Sequence, residues 1–299
     1  MGRSRSVLDG ETDDGVAPLP PLSGVRVAVE TPVRNGIAGW RRRPCRVPIL
    51  MYHRLTLGAG GHPRSLIAER FRGQLALLRE LRFRSVLPGE IAQAVRCGMP
   101  LPSRLVAITL DDGYLDTLTI GLPLLRQFGF TATCYLVAGR VGRTSDWTIP
   151  APLMGWGEVR EWLAAGMAVG SHSLSHRDLR TLPPSELRAE VGDSKARLED
   201  RLGIPVESFA HPFNRFGRRE LDAVELAGYR DGCAGVDLSD SLFALTRVSA
   251  DYGSLGWFRI LLVPVYPELR RVYLMVTARD RVRWWWAGQD DSSARWPDR

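Results

Sequence analysis

Two pairs of side chains in this chain have the types and spacing needed for hydrolytic chemistry. Asp111 and Asp112 come directly after an apolar, strand-like run, and His172 and His176 follow a second, shorter one. One carboxylate and two imidazoles form an open ligand set that suits a catalytic divalent metal, usually zinc, with a position left for water. The second carboxylate can then take a proton from that water. The two pairs together therefore predict a hydrolytic metal centre.

Each pair also has a purely structural interpretation. Asp-Asp-Gly is an ordinary turn sequence, and two histidines four residues apart can simply be neighbours on a helix face. The chain has five histidines, and all except His62 follow or interrupt an apolar run. Histidines scattered through loops would not favour that pattern, so we prefer the functional interpretation.

The elements that must position these side chains follow from the alternation of patterns after residue 45. Strands are predicted over 47–51, 83–87, 105–110, 131–137, 167–171, 207–211, 229–233 and 244–248, with helical patterns between them. Such alternation predicts a parallel sheet, and seven or eight units can close into a (β/α) barrel. Chemistry in such barrels gathers at the carboxyl ends of the strands, which is where the two pairs lie.

Four segments resemble motifs of one enzyme family. Thr109–Gly113 is similar to its T-F-D-D-G motif, His172–His176 matches its H-S/T-x-x-H motif, and Ser208–Asn214 resembles its proline-aromatic loop. The opening 47–53 also looks like the start of many members. Over roughly residues 45–250 the chain thus resembles the polysaccharide deacetylases, the NodB-homology group of carbohydrate esterases. The resemblance implies an α/β fold, a distorted and incomplete (β/α)7 barrel.

The resemblance also implies roles for single residues. It makes Asp112, His172 and His176 the metal ligands and Asp111 the general base. The reaction would be attack of water on an acetyl carbonyl, N-acetyl or O-acetyl, of a sugar.

Three further residues are predicted to contact the substrate. The resemblance places an oxyanion-stabilising backbone N–H at Phe213, directly after Pro212. From its position before the second motif, Trp156 could stack on a sugar face at the rim.

Two departures from the family pattern concern the groups around the base. The family often has an arginine two residues before the proline, which orients the base, and here that position is Ala210. No histidine follows His211, although the family usually has a late histidine that protonates the leaving group. His53 and His211 are the candidates for that acid. A catalytically impaired carbohydrate-binding homologue and an O-acetyl esterase remain the alternatives.

The composition of the chain limits which binding partners and which cellular location we expect. The 40 basic and 33 acidic residues give a net charge of +7, nearly all of it from arginine. Such an excess favours anionic surfaces, but no nucleic-acid recognition motif accompanies it and we expect no nucleic-acid partner. The first residues lack the apolar region of a signal peptide, and no run reaches the ~18 apolar residues of a membrane span. We therefore expect a cytoplasmic enzyme.

Three regions are predicted along the chain. Residues 1–44 are expected to be a flexible tail, 45–263 the catalytic domain, and 264–299 a helical extension and tail. The segment 267–283 is an arginine-rich helical pattern that runs into Trp284–Trp286. This composition fits peripheral membrane contact. We favour the alternative, in which the helix docks its apolar side on the barrel.

Overall fold

A computed structural model of the chain describes residues 47–58, 65–147, 150–235, 241–251 and 253–263. The predicted tail over 1–44 and the extension over 264–299, with its membrane or docking contact, lie outside the described residues. No helix in the described part of the chain has the length and apolar character needed to cross a bilayer. The predicted cytoplasmic location stays a prediction.

The elements alternate as the sequence predicts. The strands are β1 Ile49–Tyr52, β2 Arg54–Thr56, β3 Ser65–Ile67, β4 Arg84–Ser85, β5 Leu105–Leu110, β6 Thr133–Leu136, β7 Ala168–Ser171, β8 Ser208–Ala210, β9 Asp231–Ala234, β10 Leu245–Thr246 and β11 Val248–Ser249. The helices are α1 Ala68–Glu80, α2 Pro88–Arg96, α3 Leu122–Phe128, α4 Trp156–Ala164, α5 Pro184–Leu202, α6 Arg218–Leu226 and α7 Leu255–Leu261.

The strands form a parallel sheet that closes on itself. The order runs from β11 through β1, β5, β6, β7, β8 and β9 to β10. β10 and β11 are two halves of one segment separated by Arg247; β10 pairs with β9 and β11 pairs with β1. We call each strand position in the wall of the barrel a stave. The split segment is the seventh stave, so the predicted distorted seven-stranded barrel is confirmed, with its distortion at Arg247.

One predicted strand is not a stave. The pattern over 83–87 yields only the two-residue β4, which pairs with the first two residues of β5. Pro88 begins α2 three residues after β4 ends, and a proline has no N–H to continue a ladder. The barrel therefore has seven staves rather than eight.

Burial explains why the central strands are continuous apolar runs. All six residues of β5 are buried, as expected where a parallel strand is covered on both faces. The interior side chains of several strands pack against Ile91 and Ala92 of α2, while a second, larger cluster joins the outer faces to the surrounding helices. The α2 helix precedes β5 and packs on the start of β9, so it covers the amino-terminal end and leaves the carboxyl-terminal rim for the site.

Candidate metal centre and catalytic site

Five parallel strands deliver the chemically active residues to one rim. His53 follows β1, Asp111 follows β5, His172 follows β7 and His211 follows β8, while Asp251 follows β11. Because the carboxyl ends of parallel strands meet at one end of a barrel, these side chains converge although they are far apart in sequence.

Asp112, His172 and His176 converge on one point. The Asp112 Oδ1 atom lies 3.4 Å from His172 Nε2 and 3.3 Å from His176 Nε2. Ligand bonds of about 2.1 Å in a tetrahedral zinc site separate neighbouring ligand atoms by ~3.3–3.4 Å. Asp112 Oδ1 is buried and has no hydrogen-bond partner among the described residues. The three side chains therefore fit a small divalent cation better than an ordinary hydrogen-bonded cluster.

The ionisation of this cluster also suits a metal. The burial of His172 lowers its pKa to about 4, so the ring is neutral near pH 7. Its Nδ1 lies 2.8 Å from the Ala210 carbonyl, which makes Nδ1–H the donor and leaves the Nε2 lone pair for a ligand. Burial would raise the pKa of Asp112, but the contact with the His176 ring outweighs it and holds the pKa below its ordinary value. The cluster thus offers one anionic and at least one neutral imidazole ligand.

The backbone at Asp112 and Gly113 separates the two adjacent carboxylates. Both residues have left-handed backbones, with φ of 74° and 79°. A Cβ atom at Gly113 would lie 2.8 Å from the end of the Leu136 side chain, so a larger residue there would be strained both by this contact and by the left-handed backbone. This turn directs Asp112 toward the histidines and leaves Asp111 for a different partner.

That partner is Arg247, a buried residue that our sequence reasoning did not assign to the site. Its guanidinium makes two bonds to the Asp111 carboxylate, 2.6 Å and 2.8 Å long. Burial would raise the pKa of Asp111, but Arg247 outweighs it and holds the pKa below its ordinary value. The arginine expected at position 210 to orient the base is replaced by Ala210, and Arg247 of the split stave takes over that contact. Its sequence signal is an arginine inside an apolar, strand-like run.

The two candidate acids have different surroundings. The Nδ1 atom of His53 lies 2.7 Å from Asp251 Oδ2, and the His53 backbone N–H donates to Asp251 Oδ1 at 3.0 Å. His211 is fully buried, with Nε2 2.9 Å from the Phe243 carbonyl and its ring packed on Phe209. Burial lowers the pKa of His211 to about 4. His53 thus has a carboxylate partner at the rim, whereas His211 has the contacts of a packing residue.

The aromatic residue at the metal ligands is Trp147. Its Nε1 donates to Asp112 Oδ2 at 3.2 Å, and its ring lies 4.5 Å from that of His176. The contact described for the Trp156 ring is with Arg201 at the end of α5, at 5.8 Å, and Trp156 also packs against the outer core. The structure therefore does not bring Trp156 to the ligands.

The proline-aromatic loop lies on the other side of His176. Pro212 opens a short 3₁₀ turn, and Phe213 within it has a left-handed backbone with φ of 56°. The Phe213 ring lies 4.6 Å from the ring of His176. His176 is therefore held between Trp147 and Phe213.

Comparisons with known proteins agree with this site. Residues 98–232 match the family model of polysaccharide deacetylase. The chain is 24% identical over 218 residues to the Bacillus subtilis protein YxkH, covering 72% of this chain and 75% of that protein. It is 35% identical over 82 residues to the poly-beta-1,6-N-acetyl-D-glucosamine N-deacetylase of Escherichia coli K12, 27% of this chain and 12% of that one.

Two solved structures share the fold. A Streptococcus pyogenes deacetylase has a TM-score of 0.63 at 23% identity, covering 69% of this chain and 93% of its own. IcaB from Ammonifex degensii has a TM-score of 0.61 at 22% identity, covering 74% and 96%. The family match over residues 98–232, the relatives and the motif residues on one barrel rim together support a polysaccharide deacetylase of the NodB type, and the homologues are carbohydrate deacetylases.

Proposed function

We propose that the chain is a metal-dependent deacetylase that removes acetyl groups, N-acetyl in the first place, from an amino-sugar glycan or glycoconjugate. The observation that carries the proposal is the convergence of Asp112, His172 and His176 beside Asp111, whose carboxylate is clamped by Arg247. A ligand set and a separate, oriented base within one rim are the two parts that hydrolysis of an acetyl group requires.

Asp112, His172 and His176 would hold the metal, and zinc is the ion that their donor types and spacing fit best. When bound, the metal would polarise the acetyl carbonyl and acidify a water molecule. Asp111 would accept the proton of the attacking water. Its bidentate contact with Arg247 keeps the carboxylate anionic and fixes its orientation.

The oxyanion that forms at the acetyl carbon needs a hydrogen-bond donor. We assign that role to the backbone N–H of Phe213, because the Phe213 ring lies against the His176 ring. Hydrogen-bond donors that meet the developing charge stabilise the transition state rather than the substrate.

His53 is the better candidate for the acid that protonates the leaving amine. The Asp251 carboxylate at Nδ1 orients the ring, and proton transfer to a substrate would then use Nε2. A pKa of about 4 leaves His211 neutral near pH 7 and unable to donate such a proton.

The N-acetyl preference is supported by the name of the E. coli relative, an N-deacetylase of poly-beta-1,6-N-acetyl-D-glucosamine. Trp147 and Phe213 add apolar ring surfaces beside the ligands, as expected for a sugar subsite. The impaired-homologue alternative rested partly on Ala210, and Arg247 removes that reason.

The test is acetate release from N-acetylglucosamine oligomers and from an O-acetylated glycan, before and after chelation. We expect release from the N-acetyl substrates, loss of activity after chelation, and recovery with Zn²⁺. Release from the O-acetylated glycan alone would support the esterase alternative. Activity that survives complete removal of metal would contradict the proposal.

A further inference from the structure

The loop that carries two of the proposed metal ligands has an unfavourable backbone. Ser173 and His176 are both left-handed, with φ of 66° and 64°. Non-glycine residues rarely adopt this conformation unless their surroundings impose it. The loop 172–176 must therefore be held by contacts from outside it.

One set of contacts comes from the segment after β6. The N–H of Ala138 donates to the Ser173 carbonyl at 3.0 Å, and that of Gly139 donates to the Leu174 carbonyl at 2.7 Å. These two bonds hold the carbonyl side of the loop.

The two N–H groups in the middle of the loop are bound by one carboxylate, that of Glu190 on α5, while the His176 N–H donates to the Ser173 hydroxyl within the loop. Glu190 Oε2 accepts from the N–H groups of Leu174 and Ser175 at 3.0 Å and 2.9 Å, and Oε1 accepts from the Ser175 hydroxyl. Glu190 is only 5% exposed. A buried carboxylate that accepts three bonds from one loop gives strong, charge-assisted contacts.

The ligand that depends most on this support is His176. His172 has its ring fixed by the Ala210 carbonyl, but His176 Nδ1 has no hydrogen-bond partner within the part of the chain that the structure describes. Its ring packs against Trp147, Phe213 and His172, and its Nε2 faces Asp112. The direction of His176 Nε2 is therefore set mainly by its backbone, and thus by the loop.

We propose that Glu190 is a positioning residue for the metal centre. Its carboxylate holds the loop 172–176 in the conformation that aims His176 at Asp112, and it thereby sets the affinity for the metal. This inference rests on the proposed metal site and adds a residue from a helix, fourteen positions beyond the second motif, that touches neither metal nor substrate.

The test measures Zn²⁺ affinity of the metal-free protein by competition with a chromophoric chelator. Glu190→Gln keeps the shape of the side chain and removes its charge, and we expect the dissociation constant to rise ~10–100-fold, the range found when partners of metal ligands are replaced. Ser175→Ala, which removes one of the three bonds, should raise it less. Because Ser175 acts through Glu190, the double variant should match Glu190→Gln rather than the sum of the two effects. Asp193→Asn, an exposed position on the same helix, is the control and should leave the affinity unchanged.

A purely structural role would show a different result. If Glu190→Gln lowers the thermal stability of the metal-free protein and leaves the Zn²⁺ dissociation constant unchanged, the inference is overturned. Should that variant not fold, unchanged affinity in Ser175→Ala overturns it equally, and weakened affinity supports it. The affinity is measured without substrate, so a protein that binds Zn²⁺ but releases no acetate would refute the proposed function and leave this inference standing.

Discussion

Among single residues, Arg247 changes the interpretation of the site most. A buried guanidinium that makes two bonds to the presumed base fixes both the charge and the direction of Asp111. Arginine does this better than lysine because its planar fork matches a carboxylate with two parallel bonds. The cation that orients the base is therefore not lost with Ala210; it is supplied by Arg247 instead.

Arg247→Lys should retain metal and fold but lose activity, by about 10- to 100-fold, because one ammonium cannot make both bonds. Arg247 lowers the pKa of Asp111, so a weaker partner lets that pKa rise. The base is then protonated at higher pH, and the acid limb of the pH–rate profile should move upward. The profile is compared with that of Arg126→Lys, an exposed position on α3. An unmoved acid limb with wild-type turnover would show that Arg247 does not act through Asp111.

Replacing the two adjacent carboxylates separately should give different losses. Asp111→Asn should retain about one metal ion per chain and lose ~10²–10⁴ in rate, the contribution of a positioned base. Asp112→Asn should lose both metal and activity, because it removes the anionic ligand. Elemental analysis and acetate release measure both. Metal retained by Asp112→Asn, together with normal turnover by Asp111→Asn, would refute the assignment.

His53→Ala should reduce the hydrolysis of an acetamide far more than that of an acetate ester. An amine must be protonated to leave, whereas an alkoxide leaves more readily. His211→Ala should lower stability, because it empties a buried site, without changing the ratio of amide to ester rates. The rates are measured on matched N- and O-acetylated sugars. Equal losses on both substrates in His53→Ala would exclude His53 as the acid.

Among the elements, the segment after β6 and the loop after β7 make a close backbone contact near the ligands. A Cβ atom at Gly139 would lie 2.5 Å from the Leu174 carbonyl oxygen. Both partners are backbone, so neither can move aside without shifting a loop. Glycine is required there by close approach and not by its φ.

Gly139→Ala should therefore displace the ligand loop. We expect a loss of about 1–3 kcal/mol in the free energy of unfolding, as for overpacked sites, and weaker Zn²⁺ binding. Gly157→Ala is the matched control, since a Cβ atom at that position of α4 meets nothing within 4 Å. Urea unfolding of the metal-free proteins gives the comparison. If both variants behave like wild type, the two loops are not packed as described.

For the molecule as a whole, the barrel interior contains a carboxyl group that the proposed mechanism does not use. Asp231 begins β9, is fully buried, and accepts from the Ser208 hydroxyl at 2.6 Å. Its Oδ2 atom has no hydrogen-bond partner among the described residues. Burial raises the pKa of Asp231 to about 7, although Ser208 and Arg96 act in the opposite direction.

This pKa predicts a pH-dependent stability. The folded state binds the Asp231 proton more tightly than the unfolded state, so the contribution of Asp231 to stability is greatest below the ordinary pKa near 4 and falls until the pH exceeds about 7. Asp231→Asn should match wild type near pH 4 and be more stable at pH 8, by at most about 4 kcal/mol. Urea unfolding at both pH values, with the exposed Asp200→Asn as control, measures this. A constant difference between wild type and Asp231→Asn across the range would contradict the prediction.

Much of the barrel and the centre of the site could be predicted from local sequence. Strands such as β5 are recognisable in the sequence because a strand that is buried on both faces must be a continuous apolar run. Glycine at a turn position such as Gly113 is expected because a left-handed backbone disfavours other residues. Because the carboxyl ends of parallel strands share a rim, the positions of Asp111, Asp112, His172 and His176 after such runs already predicted their convergence. Local patterns were weaker where an element is short, as the two-residue β4 shows.

The partners of those residues were decided only by tertiary structure. Arg247 meets Asp111 across 136 positions and Asp251 meets His53 across 198, since the split stave carries both residues to the rim where it closes the barrel against β1. Trp147 rather than Trp156 reaches the ligands for the same kind of reason. A local pattern reports burial and backbone preference. Which charge faces a given carboxylate depends on the register of strands that are distant in sequence, and that register exists only once the barrel has closed.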